Sequence, residues 1–234
     1  MKLPIQEAPS YNITLPLSKK EVNFRPFLVK EQKLLLMARE GENAKEIFDA
    51  IEQVISMVTD SKVSAKSLPM ADLEYLFLQV RSRSVGETAD MTLYCQEDGC
   101  EGTGPAKVNL VDVKVKTENL PDNRIKISDN IMIELRYPQA DDAVALDGLN
   151  DIEAVKPMLV SCMEKIYDDE EIYDLSDHPD SEIENFVDSL TINQFDIIGE
   201  WFQNLPVLSE QVPFVCETCK TKQEVELKGI QNFF

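Results

Sequence analysis

Histidine is nearly missing from this sequence: the one residue, His178, sits in the acidic, turn-like stretch Ser176-Asp177-His178-Pro179 with no nucleophile at an informative spacing. Histidine is the commonest general base, so its scarcity removes most acid–base and nucleophilic schemes and leaves His178 a capping or surface role. Glycine is scarce too, at 8 residues, and none falls in a phosphate-cradling loop. The Gly-x-Ser-x-Gly elbow and the His-Glu-x-x-His helix are also missing. Carboxylates are so numerous that no pair stands out as catalytic, and a carboxylate hydrolase has no residues to name. Basic residues are few, 23 against 43 acidic, for a formal charge of -20 and a pI near 4.4. Such a surface repels phosphate backbones, whose binding rests on Lys and Arg, so neither nucleic acid nor an anionic membrane is an expected partner. No apolar run approaches the roughly 20 residues needed to span a bilayer. Met1 to Pro9 has no apolar signal-peptide centre, and the expected location is the cytoplasm where the chain is made. The acidic run from Asp168 to Asp180 lacks the glycine and ligand register of an EF-hand. It reads as a solvated face, or as an electrostatic docking surface for a basic partner.

What is present is ordinary globular material: 234 residues, 43% hydrophobic, enough for one good core or two modest lobes. Tyr11 to Leu17 and Val22 to Leu28 alternate as two strands around the polar turn Ser18-Lys19-Lys20, with Pro16 and Pro26 excluding a central place in a large sheet. Lys30 to Glu40 reads as a helix stopped by Gly41. Asn43 and Glu46 resemble a helix start before Ile47, Ile51, Val54, Ile55 and Val58. A third helix opens at Pro69 and carries Leu73, Leu76, Phe77 and Val80. Beyond Met91 the period becomes strand-like, over Met91 to Cys95, Lys107 to Lys116, Arg124 to Ile127 and Ile131 to Tyr137. Val108 and Leu110 alternate in one phase and Val111, Val113 and Val115 in the other, implying a bulge or a strand buried on both faces. Residues 139 to 189 are acidic, with a helical pattern in Met158, Leu159, Cys162, Met163 and Ile166. Ser181 with Glu184, and Thr191 with Gln194, have capping-box spacing. The last helix is expected to run to about Asn204, burying Phe195, Ile198 and Phe202 with Trp201 at the edge. Val212 to Leu227 returns to strand.

Four of the five cysteines come in close pairs, Cys95 with Cys100 and Cys216 with Cys219, each beside strand-like segments. In a reducing cytoplasm this favours a metal over disulfides. Four thiolates satisfy the tetrahedral preference of zinc and close its shell, so the expected site is one structural zinc per chain and not a catalytic one. The 115 residues between Cys100 and Cys216 far exceed the roughly 12 to 20 of common zinc motifs, so the ribbon must be discontinuous. The alternative is two pairs of reduced, non-ligating thiols. Cys162 lies on an apolar helical face and reads as a small buried hydrophobe.

Two features suggest protein binding. Arg81 and Arg83 form a basic spot in a very acidic chain, and either pair with local carboxylates or serve an interface. Phe233 and Phe234 either pack back on the ribbon or insert into a partner. The fold class that results is α+β: an N-terminal β-hairpin with helices over 1–90, a small zinc-ribbon-like antiparallel sheet from 91–138 and 206–234, and an acidic helical insertion over 139–205.

The N-terminal third also carries a resemblance. Leu15-Pro16-Leu17-Ser18-Lys19-Lys20, Phe24-Arg25-Pro26-Phe27-Leu28-Val29-Lys30-Glu31 running into Leu34-Leu35-Leu36-Met37-Ala38, and Arg81-Ser82-Arg83-Ser84-Val85-Gly86-Glu87 resemble the baseplate hub subunit family of T4-type contractile-tailed phages over residues 11 to 95. The resemblance implies a late phage protein, a structural subunit or an assembly chaperone of the central hub. It implies other hub proteins as partners and the host cytoplasm as the place of action, with the virion tail baseplate as the destination of a permanent subunit. It supplies no catalytic residues. The rival expectation is a cellular zinc-ribbon adaptor in a transcription or protein-quality complex.

Overall fold

The alternation at the start of the chain folds as an antiparallel hairpin, Tyr11–Thr14 (β1) against Glu21–Phe24 (β2), with Tyr11 opposite Phe24 and Thr14 opposite Glu21. Period two turns Val22 and Phe24 inward, and both are buried. The Leu15 amide donates to the Lys20 carbonyl across the turn, where Lys19 takes a left-handed φ of 56°. The structure, a computed structural model, describes residues 8–41, 44–145 and 151–230. Asn43, expected to begin the second helix, and Phe233 and Phe234 lie outside the described residues.

Three helices follow: Val29–Glu40 (α1), Ala44–Val58 (α2) and Met70–Ser84 (α3). The stripe Ile51, Val54, Ile55 and Val58 of α2 is buried, as are Leu73, Leu76, Phe77 and Val80 of α3. Polar hooks tie the hairpin to these helices. Arg25, just past β2, donates two 2.9 Å bonds to Glu31 and one of 3.2 Å to the Met57 carbonyl near the end of α2. Glu31, only 1% exposed, also accepts the Leu28 amide at the start of α1. Burial opposes its ionisation, but the bonds from Arg25 and Leu28 hold its carboxyl below the usual range. Asp72 on α3, fully buried, accepts the Leu17 and Ser18 amides of the hairpin turn, each at 2.8 Å. Ser84 accepts the Phe27 amide at 2.9 Å.

Two more strands, Thr88–Tyr94 (β3) and Thr103–Asn109 (β4), make a second hairpin, followed by the short Lys114–Val115 (β5). The change of phase after Leu110 is neither a bulge nor a doubly buried strand. It is a turn, with the Asp112 amide donating to the Asn109 carbonyl, which lets Val108, Leu110, Val113 and Val115 all be buried.

Contacts divide the chain into two compact units, residues 1–116 with 207–234, and residues 117–206. The second unit holds Arg124–Lys126 (β6), Met132–Leu135 (β7), Ala140–Ala145 (α4), Asp151–Cys162 (α5), Met163–Tyr167 (β8), Ile172–Asp174 (β9), Asp180–Asp188 (α6) and Ile192–Gln203 (α7). Its sheet is an antiparallel meander in the order β6-β7-β8-β9. Residues 124–135, which the sequence reading joins to the ribbon, therefore pair with the acidic segment. Met163 and Ile166, expected on a helix, lie in β8: α5 ends at Cys162, whose carbonyl accepts the Arg136 amide, and the following residues gain partners on both sides from β7 and β9. Tertiary pairing overrides a short helical pattern here. The acidic run at 168–171 is the β8–β9 turn, in which Asp168 accepts the Glu170 and Glu171 amides.

Thr191 and Gln194 form the expected capping box, whereas Ser181 and Glu184 do not: α6 is entered through Pro179, whose fixed φ suits a helix start. Trp201 is not at the edge. It is buried with Ile198 among Ile133, Leu135 and Leu159, stacks on Tyr137 at 5.9 Å and donates its indole N–H to the Asp122 carbonyl. Phe195 and Phe202 flank it half-buried.

The chain returns to the first unit as Leu208–Val215 (β10) and Lys222–Lys228 (β11), which pair antiparallel, with β10 also pairing β5 at Leu208 and Ser209. Pro213 lies beyond that short pairing, where the outer side of β10 needs no donor. The final described residue, Ile230, donates its amide to Glu74 of α3 at 3.1 Å.

Two of these contacts are testable by unfolding. Asp72→Ala removes one buried carboxylate from two half-buried amides, and urea titration should show a loss of about 2 kcal/mol. Burial pushes the Glu74 carboxyl up to about 7, with the Ile230 amide pulling it the other way. Between an ordinary value of 4.5 and 7 the folded state holds more protons than the unfolded one, so stability falls as pH rises through that window. Relative to Glu74→Gln, the wild type should lose up to about 3 kcal/mol between pH 4.5 and 8. A difference that does not change with pH would refute this assignment.

Candidate metal centre

Each cysteine pair caps a hairpin. Cys95 and Cys100 lie in the β3–β4 connection, where the Cys95 amide donates to the Gly102 carbonyl at 2.8 Å and the Cys100 amide to the Glu97 carbonyl at 3.0 Å. Cys216 and Cys219 lie in the β10–β11 connection, closed by the Cys216 amide on Thr221 and the Lys220 amide on the Cys216 carbonyl. Gly99 at φ 75° and Lys220 at φ 61° supply the left-handed positions that turn each loop back on itself. Two knuckles are thus built the same way on separate hairpins.

The hairpins meet where β4 passes β10, joined at the tip by the Glu217 amide donating to the Thr103 carbonyl at 2.8 Å. Two glycines permit the approach. A Cβ on Gly104 would stand 2.2 Å from the Val215 carbonyl oxygen, and one on Gly102 would stand 2.6 Å from the Cys216 sulfur. As a result all four sulfurs lie within 4.8 Å of one another. Cys95 to Cys219 is 3.6 Å and Cys100 to Cys216 is 3.8 Å. These distances are far from the roughly 2.05 Å of a disulfide. They match the edge of about 3.8 Å in a sulfur tetrahedron with metal–sulfur bonds near 2.3 Å. Among the described residues this is the one His, Cys, Asp and Glu cluster with metal-ligand geometry.

The protonation chemistry agrees. Hydrogen bonds from the Thr221 hydroxyl and amide lower the Cys219 thiol to about 6. The Glu97 amide favours the Cys95 thiolate, yet desolvation and the neighbouring sulfurs outweigh it and raise that thiol to about 12. One thiolate forms readily while Cys95 and Cys100 resist, since like charges cannot crowd in so small a volume. A bound dication removes the conflict by stabilising all four thiolates together. The set is closed, with four protein donors and no fifth arranged for substrate.

Gln223 of β11 escaped the sequence reading. Its amide nitrogen reaches the Cys95 sulfur at 3.4 Å and the Glu97 carboxylate at 3.2 Å, while its oxygen accepts the Gln96 amide at 3.0 Å. It pins one knuckle to the other from outside the cysteine cluster, the position an outer-shell partner would take if the cluster held a metal. Gly102 and Gly104 were equally silent: a glycine near a cysteine pair is common, and only the approach of β10 gives these two a reason.

The remaining candidates separate. Arg83 takes the local option, pairing with Glu87 at 2.5 Å and lying over the Tyr11 ring at 5.4 Å. Arg81 does not: its Nη1 is buried without a hydrogen-bond partner. His178 is held by Glu182, 2.9 Å from its Nδ1, one turn along α6. Cys162 is fully buried, remote in sequence from both pairs, and burial raises its thiol to about 12.

Comparison with known proteins gives a consistent answer. The family described as T4 bacteriophage base plate protein matches residues 8–234. A curated relative, the baseplate hub assembly protein gp26 of Enterobacteria phage T4, is 22% identical over 224 residues, covering 96% of this chain and 97% of its own. No solved structure matches.

The close approach at Gly104 is directly testable. Gly104→Ala puts a methyl group against the backbone of Val215, so β4 and β10 must separate and the sulfurs with them. Thermal unfolding should drop by several degrees, in keeping with about 2 kcal/mol of overpacking. An unchanged melting temperature would show that the hairpins do not touch there.

Proposed function

Because the chain belongs to the T4 bacteriophage base plate protein family, we propose that it is a non-enzymatic, protein-binding component or assembly factor of the tail baseplate central hub. In this reading one zinc ion per chain is held by Cys95, Cys100, Cys216 and Cys219 as a structural fastening. The observation that carries the functional part is the nearly end-to-end relation to a protein named for hub assembly. The four converging sulfurs support the zinc. When bound, zinc supplies no reaction chemistry here; it locks the β10–β11 hairpin to the β3–β4 hairpin, with Gln223 setting the outer geometry.

The chemistry of the chain fits a binding role. Its one histidine is engaged by Glu182 on an exposed helix turn, and its cysteine cluster is closed to substrate. A transient chaperone uses a polar, charge-complementary contact, whereas a permanent subunit keeps a larger apolar interface. The partners are other baseplate hub proteins, met in the host cytoplasm during assembly. The cellular adaptor reading rested on the ribbon alone, and the ribbon lies inside the family match.

Two measurements test this. Elemental analysis of the native protein should give about one zinc per chain, lost in the Cys216→Ser, Cys219→Ser variant together with exchange protection of β3, β4, β10 and β11. Native protein without zinc, and unaltered folding in the variant, would remove the fastening. Affinity capture from phage-infected cells should recover tail hub proteins as stoichiometric partners. Recovery of polymerase or protease subunits in their place would overturn the assembly role.

A further inference from the structure

The hub-assembly reading leaves unstated where a partner docks, and one surface of the first unit carries an answer. A cavity of about 170 Å³ opens between α1 and α3. Its walls include Phe27, Leu36, Phe77 and Val85, and its charged groups are Arg39 and Arg81. The size is close to that of the roughly 150 Å³ apolar cavity that accepts a benzene ring, so one phenyl or large aliphatic side chain fits. The rim is apolar and open: Leu36 is 51% exposed and Val85 58%. Residues this apolar, adjacent and uncovered on an acidic chain are the signature of a contact surface.

The charge of the groove is the sharper clue. The chain carries -20 overall, yet both ionised residues of this lining are arginines. Arg81 Nη1 is buried and has no hydrogen-bond partner, although almost every other arginine contact in the unit ends on a carboxylate or a carbonyl. Desolvation, with no carboxylate set against it, lowers the pKa of its guanidinium. A guanidinium nitrogen without an acceptor costs free energy, and because the Arg81 side chain lines the groove and is only half-buried, a carboxylate entering there can pair with its planar fork once the side chain turns toward it.

We propose that the α1–α3 groove docks a segment of a partner protein in which a carboxylate stands next to an aromatic or large aliphatic side chain, the apolar group filling the cavity and the carboxylate pairing with Arg81. This rests on the protein-binding reading above and adds to it a place and a ligand chemistry. Arg39 at the rim attracts the acidic segment, while Arg81 sets its register. In an acidic protein such a groove also discriminates: it accepts acidic-apolar segments that the rest of the surface repels.

The test uses the full-length protein and 3-phenylpropionate as probe, with 3-phenylpropanamide as its neutral counterpart, followed by amide chemical shifts. The acid should bind saturably at millimolar concentration, with shifts confined to residues 27–39 and 77–85, and at least fivefold more tightly than the amide. Arg81→Met, which keeps the apolar stem, should abolish that preference. If that variant fails to fold, Leu36→Ser at the exposed rim should weaken both probes alike. Equal binding of acid and amide, shifts elsewhere, or no binding of either overturns the proposal. Concentration-dependent self-association that Arg81→Met removes would also overturn it, by making the occupant a second copy of this chain. Hub proteins captured undiminished by Arg81→Met would sink the groove and leave the assembly role standing, whereas a wild type that captures none would sink that role itself.

Discussion

Four sulfurs within 4.8 Å of one another, on hairpins separated by more than a hundred residues of chain, are the constraint around which the first unit is arranged. For the sulfurs to converge, β4 and β10 must pass at backbone contact, and that is possible only because residues 102 and 104 lack a Cβ. For β10 to arrive there, the chain must return beside the point where it left. It does: the Lys116 amide donates to the Val207 carbonyl at 3.3 Å, next to the β5–β10 pairing. The 90 residues in between can then form a unit with a core of their own, because their two ends are already held together. Loop-closure cost rises only slowly with loop length, so a long insertion at such a point is tolerated.

The N-terminal part solves a different problem by different means. A two-stranded hairpin is marginal alone, and its turn exposes amides that would be lost to solvent on burial. α3 meets them with Asp72, which takes two, and its Ser84 takes the Phe27 amide past β2, while Arg25 and Glu31 join the hairpin exit to α1 and α2. Apart from Asp72, these residues lie inside the stretches that carry the family resemblance, and their roles are structural. Leu15-Pro16-Leu17-Ser18 holds the amides that Asp72 binds; Phe24-Arg25-Pro26-Phe27 holds the Arg25 hub and the Phe27 amide; Arg81-Ser82-Arg83-Ser84 holds the acceptor. A network of this kind is worth most when complete and most costly when one member is removed, so its residues form a pattern that is easy to recognise.

Legibility in the sequence followed the range of the forces. Local signals read well: the β1–β2 alternation, the apolar stripe of α2, the Thr191–Gln194 cap and the cysteine pairs all declare themselves within a few residues. What failed depended on distant partners. Met163 to Tyr167 carries a helical spacing but is claimed by strands on both sides, and Trp201 is central because Asp122 and Tyr137 arrive from far along the chain. The boundary of the ribbon was missed for the same reason, since only the β7–β8 pairing reveals that residues 124–135 belong with the acidic segment. In the candidate metal centre the four clustered cysteines were legible because paired cysteines at turn-length spacing are a specific signal. Gln223, Gly102 and Gly104 were not, because their chemistry is common and only geometry makes them particular.

The charge of the molecule gives these parts a common sense. At -20 a folded chain repels itself and other acidic macromolecules, which favours solubility over indiscriminate contact. Against that background the few arginines are informative by how they are spent. Arg25 and Arg136 are committed to bidentate carboxylate partners in the interior of their units, and Arg83 to Glu87 at the surface. Arg81 alone combines a buried, unpartnered guanidinium nitrogen with an open apolar cavity. A cationic apolar groove in an anionic shell is selective in two ways, since long-range repulsion screens encounters and short-range pairing chooses among those that remain.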